Sequence, residues 1–131
     1  MPDSIAQKPL IYWTLHRVQA GTNVTFTDET VVRTVLGTVQ FLGDCSSSAA
    51  ITAGDAWFTL PDECRPANDV FLPVVFETSS NAFSVCMMRV DSATGECSMT
   101  QNSNGTVHIR GLEFSVIDKS HGGISWQQQT T

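Results

Sequence analysis

Short runs of Val, Ile, Phe, Thr and Trp, bounded by Gly, Pro, Asn, Asp and Ser, recur from end to end of this chain, and no window keeps a helical apolar period. A chain punctuated in this way buries its apolar residues by pairing strands. The pattern predicts an all-β fold, an antiparallel β-sandwich of about eight strands. They are expected near Pro9 to Leu15, Thr22 to Asp28, Val31 to Leu42, Ala50 to Leu60, Val70 to Glu77, Phe83 to Asp91, Glu96 to Gln101 and Gly105 to Val116.

Several of these assignments rest on local chemistry. The turn cluster Asp91-Ser92-Ala93-Thr94-Gly95-Glu96 closes a hairpin that sets Val90 opposite Cys97 and Met88 opposite Met99. Cys86, Met88, Val90, Cys97 and Met99 then share one apolar face, with Cys86 opposite Gln101 rather than Cys97. Val107 and Ile109 alternate in one phase and Leu112, Phe114 and Val116 in the other, so a bulge at Gly111 is expected to restore a common face. Asn104-Gly105 reads as a turn, since both residues tolerate positive φ. Pro61 and Pro66 bracket a loop of fixed geometry, and Pro73 marks an edge or bulged strand because proline has no ladder donor.

At 131 residues the chain is the size of one domain able to bury a core without metals or cross-links. A sandwich over 1–117 and a flexible or partner-docked tail over 118–131 are expected. The net charge of -6, with seven Lys plus Arg and no basic run, disfavours nucleic acid as a partner. No stretch approaches the roughly 20 apolar residues of a membrane span. Met1-Pro2-Asp3-Ser4 lacks a basic start and apolar run, so a soluble, unprocessed chain is expected. Cys45, Cys64, Cys86 and Cys97 form no C-x-x-C or metal-finger pattern, so no zinc is expected. Buried, unlinked thiols are the expected state.

The stretch from Gly54 to Pro73, with Trp57-Phe58-Thr59-Leu60-Pro61, Arg65-Pro66 and Val70-Phe71-Leu72-Pro73, resembles a segment of phage tail-fibre and receptor-binding proteins. Trp13-Thr14-Leu15, Val32 to Gly43, Arg89 to Cys97 and Gly111 to Phe114 are similar to further strands and a hairpin of the same family, in the same order. The likeness covers Trp13 to Phe114. Cys64 departs from it, standing where the family usually has an aromatic, and the tail after Val116 has no counterpart. The resemblance implies a jelly-roll-like module of a virion appendage at a tail or capsid surface, commonly trimeric, with some members contacting host saccharides. It leaves open a tail-fibre, spike or head-fibre subunit, a carbohydrate-binding receptor-recognition domain, and a capsid decoration protein.

Catalytic chemistry is not expected. His16, His108 and His121 lie in unrelated parts of the chain with no nucleophile-turn motif nearby. His108, alternating with Val107 and Ile109, is expected to point to solvent, and His16 to be an ordinary surface residue. Asp62 with Glu63 and Asp91 with Glu96 are the carboxylate pairs open to glycoside chemistry, but both sit in turns that favour solvated acids. No cofactor is implied. Asn23-Val24-Thr25 and Asn104-Gly105-Thr106 match the glycosylation acceptor pattern without a secretory context. Trp57 is expected in the core. Tyr12 beside Trp13, and Trp126 near Gln127, are the rings placed for saccharide stacking. Ile124 and Trp126 supply an apolar anchor by which the tail is expected to dock in an assembly, and Pro73 with that anchor leads to the expectation of a homotrimer.

Overall fold

The computed structural model describes residues 13–78 and 81–116. Tyr12, Ile124, Trp126 and Gln127, together with the 118–131 tail and the domain boundary at 117, lie outside the described residues. The described chain is all-β. In order it forms β1 (Trp13–Arg17), β2 (Gln19–Ala20), β3 (Val24–Phe26), β4 (Thr30–Thr34), β5 (Thr38–Phe41), β6 (Cys45–Ile51) and β7 (Ala56–Thr59). A 3₁₀ turn (Asp62–Cys64) leads to β8 (Val70–Glu77), β9 (Phe83–Val90), β10 (Glu96–Met99), β11 (Ser103–His108) and β12 (Glu113–Ser115).

These strands make two antiparallel sheets. The smaller has the order β1-β4-β5-β12 and the larger β2-β7-β10-β9-β8-β11-β6-β3. The larger is nearly closed, its two end strands being joined by a tight turn in which Val24 N–H donates to the Gly21 carbonyl at 3.2 Å. Three rings hold the sheets together: Phe58 of β7 meets Phe41 of β5 edge-on at 5.7 Å, and Phe41 meets Phe114 of β12 at 6.2 Å. Trp57 is fully buried in this core, as its alternation predicts.

The sandwich class holds, but the strands are twelve among the described residues rather than about eight, because several long runs change sheet or fold back. Val31 to Leu42 divides into β4 and β5 at a turn with Gly37 at φ 93, and Ala50 to Leu60 divides before β7 with Gly54 at φ 90. Gly111, at φ 87, is not a bulge within one strand. It is the corner where the chain leaves β11 of the large sheet for β12 of the small one, its N–H donating to the Phe41 carbonyl at 2.9 Å. The phase change still does what its residues require: Val107, Ile109 and Phe114 are all buried, and Leu112 and Val116 pack against the core.

Two other local readings are corrected or refined. Asn104-Gly105 lies inside β11, where Gly105 at φ 92 forms an irregularity in the register with β6 instead of a turn. Pro73 is on a strand that is central in the sheet order, yet its surroundings are those of an edge. The Met87 carbonyl accepts from Thr100 on the β10 side, so Pro73, paired with Met87, has its nitrogen directed away from β9. On that side β11 pairs only with Val75, Phe76 and Glu77, and no ladder bond is lost at Pro73.

The hairpin forms in the expected register, with Cys97 opposite Val90 and Met99 opposite Met88. Asp91 N–H donates to the Glu96 carbonyl at 2.9 Å, and Gly95, at φ 79, closes the loop. The paired run ends at Met99, and Cys86 faces Val74 on its other side. All four cysteines are buried and free. Burial, with Asp44 adding to it, pushes the Cys45 thiol up to about 12; burial and Glu63 push Cys64 up to about 11 against the opposing pull of Arg33. Burial also raises Cys86 and Cys97. Native protein is therefore expected to react sluggishly with a thiol reagent at pH 8 and to give four equivalents once unfolded. A rapid native reaction at any one site would show that its burial is wrong.

Candidate docking face and its flanking charge clusters

β8 and β9 are apolar on both faces, which a strand in a solvated sheet does not need. Val74, Phe76, Cys86, Met88 and Val90 point inward and are buried. The opposite parity carries Phe71, Pro73 and Val75 on β8 and Phe83, Val85 and Met87 on β9, all in water. Phe71 is 51% exposed, Phe83 63% and Val85 66%. The register sets Pro73 beside Met87 and Val75 beside Val85, so the six side chains form one ribbon two strands wide. They leave on the order of 500 Å² of apolar surface in water, the size of the largest patch on a monomer, which is often functional.

Charged groups flank the ribbon in two clusters, each with two carboxylates on one basic side chain. At one end Arg89, beside Phe71, donates to Asp69 through Nε at 3.1 Å and a terminal nitrogen at 2.7 Å, with Asp91 at 3.2 Å. Asp69 also accepts from Ser92 N–H at 2.9 Å. That bond and Arg89 hold its carboxyl down at about 2. Asp91 is lowered by the N–H groups of Thr94 and Ala93 that cap its turn. At the other end His108, next to Val75 in register, lies between two acids: Nδ1 is 3.3 Å from Asp44 and Nε2 is 3.2 Å from Glu77. The second Asp44 oxygen accepts from the backbone of Ile109 at 2.9 Å and Arg110 at 2.8 Å, at the corner between the sheets.

His108 thus lies on the outer face as its alternation predicts, but its ring is held rather than free. Partial desolvation acts to lower its pKa, yet the bonds to Glu77 and Asp44 outweigh it and raise the pKa above the ordinary 6.5. A group raised on folding contributes stability fully below its unfolded pKa and loses it as pH rises through the folded value. Asp69 and Asp91, lowered on folding, lose theirs as pH falls. Thermal stability is expected to peak in mildly acidic solution and to decline above neutrality. His108→Gln is expected to flatten the alkaline decline; melting curves at pH 5.5, 7 and 8.5 that coincide in the unmodified protein would rule this out.

The other sequence candidates are occupied by structure. Asp62 pairs with Arg65 at 2.8 Å in the Pro-bounded 3₁₀ turn, and Glu63 lies 4.0 Å from His16 Nδ1. His16 is part-buried and bonded to Thr14 at 2.8 Å, so it is more engaged than a surface residue need be. Asp44 and Glu77 approach opposite nitrogens of His108, so the three do not converge where an ion would sit; no group of metal-binding side chains occurs among the described residues. Trp13 is 55% exposed on β1, while Tyr12, Ile124, Trp126 and Gln127 cannot be brought to any site, being outside the described residues. No described helix is long and apolar enough to cross a membrane.

Sequence reasoning did not identify the apolar ribbon, although its signal was present. Val70 to Phe76 has no polar residue, and Phe83 to Met88 has only Ser84, so neither run alternates as a half-wet strand should. Comparison of the chain with models of known protein families gives no match, and comparison with curated proteins gives none either.

Proposed function

We propose that this chain is a structural, non-catalytic module of a virion appendage, a tail-fibre, spike or head-fibre component that works by docking to copies of itself and to neighbouring virion proteins. The observation that carries this reading is the exposed apolar ribbon on β8–β9, set on a sandwich whose nearby charged groups are engaged with one another. The resemblance over Trp13 to Phe114 supplies the setting, and the homotrimer is the assembly it implies. Mass spectrometry of particles purified from the producing host should find the chain in fixed ratio to the other particle proteins. Recovery only from the soluble fraction would overturn the reading.

Exposure of Trp13 favours a second reading, in which this half-open indole is a stacking platform for a host-surface saccharide. Binding to a glycan array that disappears in Trp13→Ala supports it; an unchanged or blank array removes it.

A further inference from the structure

We infer that the outer face of β8–β9 docks a single amphipathic helix of a neighbouring protein, apolar on the side that meets the ribbon and carrying Lys or Arg near each end. The inference rests on the docking reading above and names the chemistry of the partner.

Size points to one element rather than a whole folded face. The ribbon's apolar area, on the order of 500 Å², falls short of the roughly 800 Å² that each side of a stable protein interface covers. Its width is that of two strands, about 10 Å, which is also the diameter of one helix. No charge stands among the outward side chains between Phe71 and Phe83, so the middle of the partner must be apolar.

Charge fixes the two ends. Asp69 and Asp91 share Arg89, and Asp44 and Glu77 share His108, so each cluster holds one acid more than it has bases even when His108 is protonated. Among the described residues Arg110, at the corner beyond His108, pairs with neither acid. All four carboxylates are partly open to water and have lone pairs left for a further donor. Asp69 and Glu77 lie along the line of β8, about 25 Å apart at about 3.3 Å per residue. A helix of about 16 residues spans about 24 Å, so a cation at each of its ends reaches both clusters while the turns between them cover the ribbon. The net charge of -6 attracts such a partner and repels a second copy or an acidic one.

Edge chemistry sets the contact on the face rather than in the ladder. β8 pairs with β9 along its length and with β11 at Val75, Phe76 and Glu77, and the stretch left open presents Pro73, whose nitrogen has no hydrogen to offer an added strand. The centre of the ribbon is built from small groups, Pro73, Val75 and Val85, while Phe71 and Phe83 stand at diagonally opposite ends. A helix laid along the strands fills that middle between the two rings, as helices cover sheets generally.

Fluorescence polarisation of labelled helical peptides of about 16 residues, titrated with the full chain, tests this. One peptide carries a leucine stripe with Lys at both ends, and a second carries the same stripe with Glu at both ends. The Lys-ended peptide should bind at least about tenfold tighter than the Glu-ended one. Glu77→Gln and Asp69→Asn should each weaken it about two- to fivefold, whereas Glu113→Gln, which removes the same charge from β12 of the small sheet, should leave it unchanged. Val85→Glu should abolish binding; if that variant melts without cooperativity, Val85→Thr, which suits a strand, is read instead and should weaken binding without changing the melt. Equal affinity for the two peptides overturns the inference, as does an equal loss in Glu113→Gln and Glu77→Gln or undiminished binding by a well-folded Val85 variant. So does dimerisation or flotation with phosphatidylcholine vesicles that Val85→Glu abolishes and the Lys-ended peptide fails to displace. Binding of neither peptide overturns it too, and if the chain is nonetheless found in purified particles the docking reading stands and only this partner is removed.

Discussion

Gly105→Ala is expected to cost about 3–5 kcal/mol of folding stability, combining a side chain forced to positive φ with overpacking against immobile backbone. An added Cβ would lie 2.2 Å from the Glu77 carbonyl oxygen and 3.2 Å from Thr78 Cα. Neither atom can turn away as a side-chain tip would. β8 and β11 would have to separate at Thr106 and Glu77, where their pairing ends, and Glu77 would be drawn from His108. Gly54→Ala provides the control, because Gly54 has a similar φ of 90 and an added methyl there would meet nothing within 4 Å. It should cost only the conformational part, about 1–2 kcal/mol. Urea titration of both variants separates the two contributions; equal losses would show that the strands are not in close approach.

Asp44→Ala is expected to cost about 3 kcal/mol, since a charged acceptor of several hydrogen bonds is removed and its donors are stranded. The Ile109 and Arg110 N–H groups both end on Asp44 Oδ1, and Ile109 is fully buried at the corner between the sheets. Asp44→Asn keeps an oxygen for those two donors but removes the negative charge beside His108. It should be the milder change at pH 6 and should weaken the pH dependence as much as Asp44→Ala does, with Glu77 still holding His108 in both. Urea denaturation at pH 6 and 8.5 distinguishes the two roles: if Asn is as damaging as Ala, the backbone bonds are not the main contribution.

What the sequence disclosed follows from how far apart the cooperating residues lie. The β9–β10 hairpin was legible to the residue because Asp91, Thr94 and Gly95 fix the loop locally, and loop length then fixes the pairing of Val90 with Cys97. The β11–β12 region was legible in part. Opposite phases on either side of Gly111 announce that both sets face the core, but the same phase change serves a bulge in one sheet and a crossing between two. Only the partners decide, and Phe41, which receives the Gly111 N–H, lies far upstream.

The flanking clusters show the same limit. Alternation placed His108 outward, yet the acids on its two nitrogens are 64 and 31 residues away, and nothing near His108 announces them. The ribbon itself was visible as two runs lacking polar alternation. It passed as strand signal because hydrophobic runs identify a strand more readily than they identify what covers its second face.

Methionine oxidation tests the docking role of this face most directly, because the chain carries its own internal standards. Met87 is 37% exposed in the ribbon, while Met88 and Met99 are 0% and 1% exposed in the core. In dilute protein, hydrogen peroxide should convert Met87 to the sulfoxide quickly and the two core residues slowly. In purified particles the Met87 rate should fall several-fold toward those of Met88 and Met99, because the docked neighbour covers it. A Met87 rate as fast in particles as in the free chain would contradict the account.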